Sequence, residues 1–205
     1  MTDHETNRLI GRADYDAIAA WIRPNATVLD LGCGDGVLLK FLKETRNIRG
    51  YGVEVEADKV IASIANGVNV IQGNLNHGLT QFDSGSFDYV ILSLTLQAVM
   101  RTEEIVLEMV RIGREAIVTF PNFGHWANRI QVIQGKMPVS DDLPYSWYDT
   151  PNVHLCTIAD FERFCLERQI RILERVALHA GRRVKLLSNL RGSLAVYRFE
   201  KRSEA

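Results

Sequence analysis

The stretch Asp30-Leu31-Gly32-Cys33-Gly34-Asp35-Gly36 constrains this chain more than any other segment. It follows the apolar run Thr27 to Leu31 and precedes Val37-Leu38-Leu39-Lys40-Phe41-Leu42, so the local expectation is strand, glycine turn, helix. A dinucleotide-binding turn needs G-x-G-x-x-G to bring a pyrophosphate to the helix N-terminus. Here the third glycine comes one residue early and Val37 stands in its place. Asp30 and Asp35 put carboxylates where a phosphate would have to sit, whereas an ammonium group would be attracted there. S-adenosylmethionine carries such a group and no phosphate. Gly32, Gly34 and Gly36 let the backbone approach the methionyl part closely, Cys33 lies within the same cofactor turn, and Asp30 is expected to hold the amino group, directly or through water.

Two later strand ends fit the same ligand. Glu54, in Gly52-Val53-Glu54, lies 24 residues after Asp30 and can take both ribose hydroxyls with its two oxygens. Asn74, in Gln72-Gly73-Asn74-Leu75, can accept from the adenine amino group through its carbonyl oxygen. Val55, Leu75 and Ser93 complete the expected cofactor edge. Each residue also fits a plainer role: a glycine turn after a strand is common, Glu54 suits a solvated strand end and Asn74 a turn. In order on successive strand ends, the set favours an S-adenosylmethionine-type pocket at the C-terminal edge of an open sheet.

The pattern along the chain is consistent with that sheet. A lead-in helix is expected from Tyr15 to Ile22, capped by Asp14 and closed by Pro24. Strand-like runs at 27–31, 50–55, 68–72, 88–94 and 116–120 alternate with helical segments, among them 57–65 and 102–112, giving five βα units. Residues 124–134 read as a helix with Trp126, Ile130 and Ile133 on one side. Residues 135–156 hold three of the five prolines together with Tyr145, Trp147 and Tyr148, a composition suited to a lid or to a protein-docking surface. Thr157-Ile158-Ala159-Asp160 resembles a capping box that starts a helix. Strand-like runs at 171–179 and 193–199 follow, joined by the basic stretch Gly181 to Lys185, which suits a solvated hairpin turn.

Composition limits the function classes. At 205 residues and 46% hydrophobic, the chain reads as one domain over 1–205, able to bury a core without disulfides or metal. With 24 Lys and Arg against 25 Asp and Glu there is no basic field for nucleic acid. Three cysteines without CxxC spacing suit a reducing compartment. No window approaches the ~18 to 20 apolar residues of a membrane span and the first residues are polar, so a cytoplasmic protein is expected.

The sequence assigns no catalytic residue. A sulfonium donor is already activated, so methyl transfer can succeed by positioning alone. Neither an Asn-Pro-Pro-Tyr-type segment nor a Pro-Cys pair is present, which disfavours methylation of nucleic-acid bases. His125 and His154 are acid–base candidates, though a structural or solvent-facing role suits them better. Cys33 reads as a small buried residue, and Cys156 and Cys165 as packing residues. The histidines have no metal-ligand spacing, so no metal is expected.

These residues also carry a family resemblance. Val28 to Gly36 resembles motif I of the class I S-adenosylmethionine-dependent methyltransferases, and Gly52-Val53-Glu54, Gly73-Asn74-Leu75 and Phe87-Asp88-Tyr89-Val90 resemble the motifs that follow it. More specifically, Arg8-Leu9, Leu94-Thr95-Leu96-Gln97-Ala98, Phe120-Pro121-Asn122-Phe123-Gly124-His125-Trp126 and the segment Leu143 to Asn152 are similar to the methionine biosynthesis protein MetW family. Asn74 stands where methyltransferases commonly carry Asp. The resemblance implies an α/β, Rossmann-like class I methyltransferase fold: a mostly parallel seven-stranded sheet, an antiparallel C-terminal strand pair, and helices on both faces. It also implies a place in methionine biosynthesis beside a homoserine O-acyltransferase, which needs its MetW-type partner for full activity, and it names no methyl acceptor. Three roles stay open: an S-adenosylmethionine- or S-adenosylhomocysteine-binding partner of that enzyme, an active methyltransferase on a small molecule or protein, and a purely structural module. Self-association into a homo-oligomer is left open.

Overall fold

The computed structural model describes residues 12–202; Arg8-Leu9 lies outside them. In chain order the elements are α1 (Ala13–Trp21), β1 (Thr27–Leu31), α2 (Val37–Arg46), β2 (Arg49–Glu54), α3 (Ala57–Ala65), β3 (Asn69–Gln72), β4 (Phe87–Ser93), α4 (Thr102–Ile112), β5 (Gly113–Pro121), α5 (Trp126–Ile133), α6 (Ile158–Glu167), β6 (Ile170–His179), β7 (Arg182–Val184), α7 (Ser188–Arg191) and β8 (Leu194–Lys201). Short 3-10 turns at Leu75–His77 and Leu96–Ala98 follow β3 and β4.

The strands form one eight-stranded sheet in the order β3-β2-β1-β4-β5-β8-β6-β7. Strands β1 to β5 run parallel. Strand β8 inserts antiparallel between β5 and β6. Consecutive residues of the central strands face opposite sides, as the pleat demands. Leu29, Val90 and Val118 join a core with α4 and α6, while Val28, Ile91 and Ile117 join another with α1 and α2. Burial on both faces is why these strands read as continuous apolar runs rather than as alternating ones.

Three local expectations change. The eighth strand, β7, is the basic stretch expected as a turn. Ala180 and Gly181 both have positive φ, at 46° and 71°, which is a two-residue hairpin turn that pairs His179 with Arg182. The segment after β3 makes only a 3-10 turn, ended by Gly78, so β3 lacks the helix of a full βα unit. Helix α1 begins at Ala13 after Arg12. Asp14 sits buried in its first turn and bonds the Arg12 guanidinium at 2.6 Å instead of capping the helix.

Candidate functional site

The glycine turn is built by backbone bonds across the parallel β1–β2 pair. Gly32 N–H and Cys33 N–H both donate to Val53 O, at 2.8 and 3.1 Å, which draws the end of β1 over the end of β2. Gly34 N–H then donates to Glu54 Oε2 at 2.8 Å. Val55 and Glu56 N–H groups donate to Glu54 Oε1 at 2.8 and 3.0 Å. From α3, the Ser63 hydroxyl donates to Gly34 O at 2.9 Å.

The glycines serve different needs. A Cβ at Gly32 would lie 2.7 Å from Thr95 Cγ2, so the turn closes against the chain leaving β4. At Gly36 it would meet Ser63 Oγ at 2.9 Å, which makes that position one of helix packing. At Gly34, by contrast, a Cβ would meet nothing within 4 Å, and φ is +59°. Gly34 therefore borders open space beside the two acids. Cys33 fills the volume under Gly52, and burial pushes its thiol up to about 12, so it stays neutral near pH 7.

Asp30 is the unusual group at this edge. It is 2% exposed, and its Oδ1 is buried without a hydrogen-bond partner. Desolvation, with the negative charge of Glu54 second, pushes its carboxyl from the ordinary 3.8 up to about 8. Two carboxyls share one buried edge, and the charge of Glu54 is met by three backbone N–H groups while Asp30 has no counter-charge. The place is electrostatically matched to a cation that carries hydrogen-bond donors.

The remaining expected residues lie along the same edge. Val55 is exposed beside Glu54. Asn74 caps the first 3-10 turn, with its carbonyl oxygen accepting from Asn76 N–H at 2.9 Å, and Leu75 is buried behind it. Ser93 Oγ lies 3.2 Å from Thr119 Oγ1 at the tips of β4 and β5. The next residue, Leu94, takes a left-handed conformation with φ 52°, held by Thr119, whose hydroxyl accepts its N–H at 2.9 Å. Such strain, costing about 1 to 2 kcal/mol for a non-glycine residue, concentrates at functional edges.

The histidines are engaged elsewhere. The His125 ring lies 4.7 Å from the ring of His179, at the end of β6. Burial, with His179 second, lowers the His125 pKa. Strand β6 is four positions from β1 in the sheet, roughly 19 Å at ordinary strand spacing. His154 Nε2 lies 3.2 Å from Met100 O. Beside the acidic edge, Lys59, at the start of α3, is held charged first by its 2.7 Å bond to Glu56, with Glu54 acting on it as well.

Sequence reasoning missed Ser63, Thr95 and Asn122. Asn122 is a buried hub: its amide donates to Gly192 O at 2.7 Å and Asn189 O at 3.1 Å, and its oxygen accepts from Gly124 and Ile158 at 3.0 and 3.1 Å. Only its position in the distinctive segment after β5 marked it out. Ser63 bonds Gly34 and Thr95 packs against Gly32 across long stretches of chain, which no spacing rule reveals.

Solved structures share this fold. One is an S-adenosylmethionine-dependent methyltransferase from Thermotoga maritima, described as a possible histamine N-methyltransferase, at TM-score 0.68 and 17% identity over 95% of this chain and 90% of that one. Another is magnesium protoporphyrin IX methyltransferase from Synechocystis PCC 6803 with bound S-adenosylhomocysteine, at TM-score 0.66 and 15% identity over 98% of this chain and 88% of that one. A curated relative, the bifunctional methionine biosynthesis protein MetXA/MetW of Rhodopirellula baltica, is 40% identical over an alignment of 157 residues that covers 72% of this chain. This chain spans only 25% of that protein's length. The family model for methionine biosynthesis protein MetW matches residues 12–199, and the chain belongs to the MetW family, on a Rossmann-like class I methyltransferase fold.

Proposed function

We propose that this chain binds S-adenosylmethionine or S-adenosylhomocysteine at the Asp30–Glu54 edge and, acting as one domain, supports a homoserine O-acyltransferase in methionine synthesis. The observation that carries the ligand reading is the buried, unpartnered Oδ1 of Asp30 beside the open face of Gly34. An ammonium group would supply the missing counter-charge. Glu54 would take the ribose hydroxyls, with Gly32, Cys33, Gly34 and Gly36 lining the methionyl side and Val55, Asn74, Leu75 and Ser93 the nucleoside side. The cofactor's sulfonium would supply an activated methyl group wherever transfer occurs.

The partnership is supported by the fused MetXA/MetW relative and by an apolar surface. Helix α5 is inside out: its buried residue is Asn128, while Trp126, Ile130 and Ile133 are 49%, 44% and 84% exposed. Tyr145, Trp147 and Tyr148 add exposed aromatic area from the loop that follows. An exposed apolar stripe at i, i+4 and i+7 of one helix is the kind of surface that marks a protein contact. The role is cytoplasmic, in keeping with three unpaired cysteines and, among the described residues, no helix long and apolar enough to cross a membrane.

The test is homoserine acylation by the partner enzyme with and without this chain, repeated with Glu54→Ala, alongside calorimetry with S-adenosylhomocysteine. Stimulation that the variant loses, together with ligand heat, is expected. No heat at millimolar ligand overturns the ligand reading, and no stimulation overturns the partnership. The strained Leu94 at the tip of β4 favours a second reading, methyl transfer to an unidentified small molecule or protein. Labelled methyl incorporation in a cell extract, lost in Asp30→Asn, would establish it.

A further inference from the structure

One stretch of the chain is free of charge. Between Lys59 and Asp83 lie 23 residues without an Asp, Glu, Lys or Arg, in a chain that is 24% charged. They form most of α3, the whole of β3 and the 3-10 turn after it. Strand β3 ends the sheet on that side, with nothing paired to its outer edge among the described residues. Gly73 N–H donates to Glu54 O on β2 at 2.9 Å, so by the alternation of a strand Val70 and Gln72 turn their N–H and C=O groups outward.

Isoleucines stand exposed on both faces of this edge. Helix α3 lies on the face of α2, where its Ser63 meets Gly36 together with Val68, and its Ile61 and Ile64 are 65% and 62% exposed. On the other face Ile71, in register with Val53, is 47% exposed, because the segment after β3 supplies no helix to cover it. The opposite edge of the sheet is built differently. There β7 carries Arg182 and Arg183, with Lys185 just beyond, the kind of charge that keeps a free strand from pairing.

Interface centres are depleted of charge, and one partner demands that depletion most strictly. A surface that meets its own copy across a two-fold axis sets each residue near the axis against itself, so any charge there meets its like. A different protein could answer a charge near β3 with the opposite sign. We propose that the β3 edge is a self-association surface, where two copies of this chain pair antiparallel about a two-fold axis at Ile71 and join their sheets. In that register Val70 of each copy meets Gln72 of the other, each pair exchanging both N–H···O bonds. Ile71 stands against its own copy on one face, and Ile61 and Ile64 of the two α3 helices meet on the other. Helix α5 follows β5, four positions from β3 in the sheet, so the surface proposed for the acyltransferase stays free. The pairing stands independently of the function proposed above.

The test is sedimentation velocity of the full chain over a range of concentrations. A species of twice the chain mass that dissociates on dilution is expected. Ile71→Lys sets two ammonium groups at the axis and is expected to raise the dissociation constant by about tenfold or more. Ile61→Lys is expected to weaken pairing as well, Ile133→Glu on α5 to leave it unchanged, and all three to melt cooperatively as folded chains. Val70 and Gln72 amides are expected to exchange more slowly in the unsubstituted chain than in Ile71→Lys. Directly opposed residues of a non-hydrogen-bonded antiparallel pair lie about 4.5 Å apart at Cα, within disulfide reach, so oxidised Ile71→Cys is expected to cross-link two chains and Arg182→Cys on β7 not to. Single-chain mass at millimolar protein overturns the proposal, as does a dimer that both lysine variants leave intact. Equal exchange of the two amides in dimer and monomer overturns the strand pairing. Single-chain mass together with stimulation of the acyltransferase lost in Ile71→Lys gives this face to that enzyme and overturns self-association.

Discussion

Asp30 and Glu54 were legible because a strand end followed by a glycine turn leaves few places for an acid to go. Neither residue type nor spacing revealed that Asp30 would be buried without a counter-charge. With its carboxyl raised from 3.8 to about 8, folded Asp30 keeps a proton that the unfolded chain has already released across that window. Its contribution to stability is therefore fully present below about pH 4 and lost as pH rises through about 8. Urea titrations are expected to show this decline, and Asp30→Asn to flatten it. An ammonium group bound against Asp30 favours its ionised form, so S-adenosylhomocysteine, which carries one, is expected to release about one proton per site at pH 7. Its affinity should rise between pH 6 and 8, and calorimetry in buffers of different ionisation enthalpy reads both effects. The glycines separate packing from function: Gly32→Ala places a Cβ 2.7 Å from Thr95 and is expected to cost more than about 2 kcal/mol. Gly34→Ala costs only its left-handed backbone, about 1 kcal/mol, yet should weaken ligand binding, a contrast that chemical denaturation paired with ligand titration exposes. Asn74 was read for its carbonyl oxygen, and the structure turns that oxygen onto Asn76 N–H. Asn commonly bonds the backbone two residues on, and this local bond is invisible in a motif defined by the ligand.

At the scale of elements, periodicity located α5 with its stripe of Trp126, Ile130 and Ile133 but could not say which way the stripe would face. Amphipathic spacing ordinarily points the apolar side inward. Here Asn128 is inward instead, within reach of the Asn122 and Phe123 carbonyls, and the stripe faces solvent. Ile133 is 84% exposed, so Ile133→Glu is expected to change stability by less than about 0.5 kcal/mol. The same variant should lower stimulation of the acyltransferase several-fold in the acylation assay, and unchanged stimulation would remove α5 from the docking surface. The cap of α6 was readable because Thr157 and Asp160 are three residues apart: Thr157 Oγ1 accepts from Asp160 N–H at 3.1 Å. The hairpin strand β7 was hidden because its turn uses Ala180 at positive φ, where the usual signal is Asn-Gly or Gly-Gly.

For the molecule as a whole, the proposed ligand site is spread over the C-terminal ends of β1, β2 and β4, which belong to one sheet. A ligand bound there is expected to stabilise the whole chain against global unfolding and not one segment alone. At a hundredfold excess over Kd the linkage is about 2.7 kcal/mol, readable as a rise in Tm, and a ligand that protected only the glycine turn from hydrogen exchange would contradict it. The insertion of β8 between β5 and β6 is held by registry across both neighbours. Arg198 bonds Glu115 of β5 at 2.9 Å and Glu174 of β6 at 2.8 Å. The sequence by itself determined the parallel core, the glycine turn, the two acids and the family, because each is encoded within a strand, a turn or a short motif whose physics is local. Only the tertiary structure decided that Asp30 is desolvated and that α5 faces outward. Those properties depend on which distant segments exclude water from a given atom, and solvent exclusion is a property of the packed whole.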